Sequence, residues 1–97
     1  PSRIFVFDPK KGTFIQDEVW KQYGKASGAQ APRCMTIGPD GKIYALFQKA
    51  VVRIEPGTLA HQAIARPNAT ITSGIAIVGG RLYFGCGPRL MSCNLNL

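Results

Sequence analysis

The chain has 97 residues, 45% of them hydrophobic, and carries 12 Lys and Arg against 5 Asp and Glu for a net charge of +7. That length suits one domain, which buries about 60–65% of its unfolded surface. No apolar run approaches the ~18 residues of a membrane span, and the amino terminus lacks the basic-then-apolar layout of a signal peptide, so neither an anchor nor an export signal is expected.

The first predicted element is a strand over 3–8, ended by the acidic-Pro corner Asp8-Pro9. The segment 13–28 reads two ways. Thr13 and Gln16 fit a capping box, and Ile15, Val19 and Tyr23 share a helical face. A strand near 13–19 followed by a loop is the preferred reading, with 21–33 as a long connection. Next come strands at 34–38, 42–48, 50–55 and 58–65, and then at 72–78, 81–86 and 89–95. Pro39-Asp40-Gly41 and Gly79-Gly80 offer the positive-φ positions that tight reversals need, and Pro56 stops a strand.

These strands repeat. Gly41-Lys42-Ile43-Tyr44 overlays Gly80-Arg81-Leu82-Tyr83 at an offset of 39 (80 minus 41), which carries Val51 to Leu90, Val52 to Met91 and Ile54 to Cys93. An earlier partial copy, Ile4 to Pro9, matches Val51 to Pro56 at an offset of 47 (51 minus 4). Periods near 40 made of short strands are the mark of propeller blades. The expected fold is therefore all-β, a fragment of about two four-stranded antiparallel blades. Lettering the strands a to d from the inside outward, 1–20 is a partial blade (c-d), 34–66 a complete blade (a-b-c-d) and 71–97 a blade lacking its outer strand (a-b-c).

Apolar residues do not alternate with polar ones in these strands. Ile43, Ala45 and Phe47 oppose Tyr44 and Leu46; Ile4 and Val6 oppose Phe5 and Phe7; Leu82 and Phe84 oppose Tyr83. Both faces of each sheet therefore require cover, as in stacked sheets. Cover is expected from other copies, as a homo-oligomeric trimer or tetramer, or from the remaining blades of a larger protein. Pro1 in place of Met favours a chain cut from something longer.

The stretch GPDGKIYALF with the following IEPGT, and SGIAIVGGRLYFG with the following Leu, resembles blades of the NHL and gluconolactonase-like β-propellers over about residues 34–95. That family includes sugar lactonases, lyases and pure binding scaffolds, with ligands held at the mouth of a central channel. The lactonase type binds a divalent metal through acidic and amide side chains of several blades. Asp8 and Glu55 share one blade position beside a proline, which reads as a structural corner rather than a metal ligand.

Catalytic chemistry finds little support. His61 is the single histidine, with no cysteine or carboxylate at catalytic spacing. Asp17 and Glu18 are neighbours, so on a strand they face opposite ways. Gly24-Lys25-Ala26 and Gly85-Cys86-Gly87 lack the rest of a phosphate or dinucleotide loop. Asn68-Ala69-Thr70 matches a glycosylation acceptor, read as chance. Cys34, Cys86 and Cys93 form an odd set without a CxxC pair, which argues against a zinc site or disulfide framework and favours a reducing, cytoplasmic setting. Buried free thiols are preferred to a Cys86–Cys93 bridge. No catalytic residue, metal or cofactor is assigned.

The basic residues are scattered, with only Lys10 and Lys11 adjacent, so solvated charge is preferred to a nucleic-acid surface. Most aromatic residues lie on the two-faced strands and read as core. The exception is Trp20, Lys21, Tyr23 and Lys25, a candidate exposed contact patch. Three functional classes remain: a non-enzymatic propeller module that self-assembles and holds a ligand at the channel mouth; a fragment of a sugar-active enzyme whose catalytic residues lie elsewhere; and a basic surface for anionic polymers.

Overall fold

The computed structural model describes residues 2–8, 10, 13–20, 22–23 and 35–96, and among them it is all-β with no helix. Strand β1 (Ser2–Asp8) pairs antiparallel with β2 (Thr13–Trp20), so the segment from Thr13 is a strand and not the helical alternative. Strands β3 (Met35–Ile37), β4 (Ile43–Phe47), β5 (Ala50–Ile54) and β6 (His61–Ala65) form a four-stranded antiparallel sheet in that order. Strands β7 (Ser73–Val78), β8 (Arg81–Cys86) and β9 (Arg89–Asn94) form a three-stranded one. Apart from Gln22 and Tyr23, the connection expected over 21–33 lies outside the described residues, as do Cys34 and Pro9.

Sequential hairpins make these sheets because the turns are short and chemically suited. Gly79 and Gly80 have φ of 58° and 77°, so the Val78–Arg81 reversal takes the twist that matches the flanking strands, which β-branched or bulky residues resist. At Gly38–Gly41, the Gly41 amide donates to the Gly38 carbonyl at 3.0 Å, and the Lys42 amide donates to Asp40 Oδ1 at 3.2 Å.

One boundary differs from the expectation. Strand β6 begins at His61 rather than at 58, because the chain first closes a turn. The Leu59 amide donates to the Glu55 carbonyl at 2.9 Å and the Glu55 amide to the Ala60 carbonyl at 2.7 Å. Leu59 takes a left-handed φ of 58° and buries its side chain in the core. That conformation costs a leucine about 1–2 kcal/mol, which burial of the side chain, at about 1.5–3 kcal/mol, offsets.

The four-stranded sheet is covered on both faces over β4 and β5, while Met35 and Ile37 on its edge strand β3 stay 43% and 72% exposed. On one face, Ala45, Phe47, Val52 and Ile54 are buried together with Tyr23 and Leu59. On the other, Tyr44, Leu46 and Val51 pack against the three-stranded sheet through Leu82, Phe84 and Cys86, with Ile71 and Leu95 sealing the core. Ile71 is fixed there by its amide, which donates to the Gln48 carbonyl at 3.0 Å. The sheets approach closely at Gly74 of β7, where any side chain would meet Leu46. The absence of a Cβ thus lets Leu46 insert between the sheets.

Candidate interaction surface

Register fixes which residues the three-stranded sheet turns away from this core. Leu82 pairs with Ile77 and Cys93, and Phe84 with Gly74 and Met91, all toward the four-stranded sheet. The intervening rows face the other way: Val78, Arg81 and Asn94; Ala76, Tyr83 and Ser92; Ser73, Gly85 and Leu90. On this outer face Val78 is 64% exposed and Leu90 77%, while Tyr83 is half-buried. Gly85, Tyr83 and Leu90 line an open cleft of about 470 Å³. Ser73 Oγ stands where a side chain at Gly85 would go, so the serine hydroxyl fills that space. At one end, Arg81 Nε and Nη2 donate to Ser92 Oγ at 3.2 and 2.9 Å.

A second, polar cleft of about 230 Å³ lies on the four-stranded sheet between Lys42, Arg53, Glu55, His61 and Gln62. Its polar side chains bond to one another, one pair as ions and one as a cation with a neutral amide. Lys42 Nζ donates to Glu55 Oε2 at 2.7 Å, and Arg53 Nη2 donates to Gln62 Oε1 at 3.0 Å. Beside it, the Tyr44 hydroxyl donates to Asp40 Oδ2 at 2.7 Å. That bond holds the Asp40 carboxyl below its ordinary value, while burial and then the Asp40 contact push the Tyr44 phenol up. The group is a network that ties the Gly38–Gly41 turn to the sheet. Among the described residues, no three His, Cys, Asp or Glu side chains gather as a metal site would require.

Of the expected contact patch, Tyr23 is buried, 4% exposed, and so is not a surface residue. Its ring lies 5.6 Å from that of Phe47 and edge-on to His61 at 5.4 Å, and its hydroxyl shares a 2.6 Å hydrogen bond with His61 Nδ1. The Arg66 guanidinium sits 5.6 Å over the ring. Tyr23 therefore belongs to the core because an apolar sheet face lies open to it and its one polar atom finds a partner. Trp20 ends β2, its side chain outside what is described, and Lys21 and Lys25 lie outside the described residues. His61, the lone histidine, is accordingly a partnered residue at the sheet edge.

Cys86 and Cys93 are free thiols, Cys86 buried and Cys93 half-buried, the latter with its pKa raised by burial. Cys86 pairs with Arg89 and Cys93 with Leu82, so they stand four residues apart along the hairpin. At about 3.3 Å per residue that is twice the Cα separation a disulfide spans.

No family model matches this chain, and neither a curated protein nor a solved structure matches it. Its own geometry is what speaks to function. Among the described residues, no helix is long and apolar enough to cross a membrane. The feature that residue-by-residue reading missed is the Val78–Tyr83–Leu90 face. Its signal was present in the two-sided apolar strands, which demand cover without saying which face receives it from within the chain.

Proposed function

We propose that the chain is a non-enzymatic module of β-propeller type, whose activity is to assemble with further copies into a ring of stacked sheets and to hold a ligand at the channel mouth. One observation carries this reading: the central strands β4 and β5 are buried on both faces, whereas the equivalent hairpin of the three-stranded sheet leaves Leu90 open to solvent, as Val78 is on β7 and Met35 and Ile37 are on the edge strand β3. Exposed apolar area of this kind carries about 25 cal/mol per Å² toward association. The sheet edges at β3, β6, β7 and β9, unpaired among the described strands, strengthen the case, because such edges template further pairing. The resemblance of the repeat to propeller blades supplies the ring.

Light-scattering mass measurement on the purified chain tests it. A defined trimer or tetramer is the expected result. A monomer across the micromolar range overturns self-assembly.

A further inference from the structure

We infer, building on the assembly reading above, that the outer face of β7–β9 receives a second copy of this chain head to tail, through a different face of that copy, and not about a twofold axis. The repeat and the register together give the polarity. With the offset of 39 (80 minus 41), Tyr44, Leu46 and Val51 correspond to Tyr83, Gly85 and Leu90, and Ile43, Ala45, Val52 and Ile54 correspond to Leu82, Phe84, Met91 and Cys93.

Every sheet of this repeat thus has two distinct faces, a first with the Tyr44-type residues and a second with the Ile43-type residues. The observed contact between the sheets joins unlike faces: Tyr44, Leu46 and Val51 of the first kind meet Leu82, Phe84, Met91 and Cys93 of the second. The uncovered face at Tyr83, Gly85 and Leu90 is again of the first kind. What fits it by the same rule is a face of the second kind. A twofold axis would instead set the uncovered face against itself and bring two Arg81 guanidiniums to one interface.

The sequence holds the second kind of position once more, because the offset of 47 (51 minus 4) carries Val52 and Ile54 to Phe5 and Phe7. The second copy is therefore placed with its β1–β2 hairpin toward the β7–β9 face of the first. Contacts between unlike faces leave one face of each kind open at the ends, so assembly closes only as a ring or runs on as a filament.

A mixing experiment reads the polarity. Leu90→Arg puts a charge at the centre of one face only, and since Leu90 is 77% exposed the fold tolerates it, which circular dichroism verifies. Alone, this variant is expected to be monomeric. Mixed with the unsubstituted chain, a tagged Leu90→Arg chain is expected to join assemblies with an affinity within about twofold of the parent's, because its other face is intact, and to cap them at lower mass. Val78→Arg, 64% exposed on the same face, should behave alike.

If the parent assembles but recruits the Leu90→Arg chain roughly tenfold or more weakly, the contact is face-to-like-face and the head-to-tail inference fails while the assembly reading stands. Should Leu90→Arg and Val78→Arg both assemble unaided, the face is wrong and the inference fails again. A monomeric parent overturns both.

Discussion

Tyr44 and Tyr83 hold the same place in two copies of one hairpin, yet Tyr44 has no exposed surface and Tyr83 is half-buried. Val51 and its counterpart Leu90 differ further, from 0% to 77% exposed. The residues are of one kind and the strands pair in one register, so local structure does not make the difference. What differs is the neighbour. The four-stranded sheet has the three-stranded sheet on its Tyr44 face, and the three-stranded sheet has, among the described residues, an open cleft on its own. The comparison teaches that in a stack of similar sheets, burial is a property of the place in the stack.

The largest test of this difference is a pair of truncations. Leu46→Ala empties a site that is 1% exposed, against Gly74, and is expected to cost about 2–5 kcal/mol in denaturant unfolding. Leu90→Ala, on the partner strand of the other hairpin, is expected to change monomer stability by less than about 0.5 kcal/mol. Equal losses at the two sites would abolish the distinction between a covered and an uncovered face.

A smaller effect sharpens it at the polar rim. Tyr44→Phe removes the hydroxyl that donates to Asp40 and is expected to cost about 1 kcal/mol near neutral pH. Because the contact lowers the Asp40 pKa, its contribution is present above the ordinary value of 3.8 and is lost as pH falls through the lowered folded value. Because Tyr44 is pushed above its ordinary value of 10.0, the contribution is full below that pH and is lost as pH rises through the raised folded value. The stability gap between parent and variant should therefore form a plateau between these limits and close at the acid end. A gap independent of pH would remove Asp40 from the account. The equivalent Tyr83→Phe substitution should show no such plateau, since the counterpart of Asp40 is Gly79 (40 plus 39).

The smallest effect is expected at the counterparts Lys42 and Arg81. Lys42 and Glu55 are 39% and 46% exposed, so Lys42→Met should shift stability by roughly 0–1 kcal/mol, less in high salt. Arg81→Met, which loses the Ser92 contact, should shift it no more. A loss several times larger at Lys42 would mean that the polar cleft is a structural centre and not a solvated rim.

Much of this architecture is legible in the residues alone. The run Ile43–Phe47 with apolar residues on both sides, followed by Ala50–Ile54 and punctuated by Gly41 and Pro56, dictates a hairpin that must be sandwiched, and the strands stand within a few residues of where the turns put them. The start of β6 is not legible, because a left-handed leucine at position 59 is settled by the core it enters and not by its own preference. Tyr23 misleads for a related reason. Beside Lys21 and Lys25 it reads as surface, but Phe47 and His61, distant in sequence, make a pocket for its ring and its hydroxyl.

By itself, then, the sequence determined an all-β chain of antiparallel hairpins with two apolar faces each, because strand alternation and turn chemistry are local. Only the tertiary structure decided which of those faces are covered, that Leu46 enters between the sheets at Gly74, and that Leu90 and Val78 stand open. These outcomes depend on what lies across the sheet face, and no residue's neighbours along the chain carry that information.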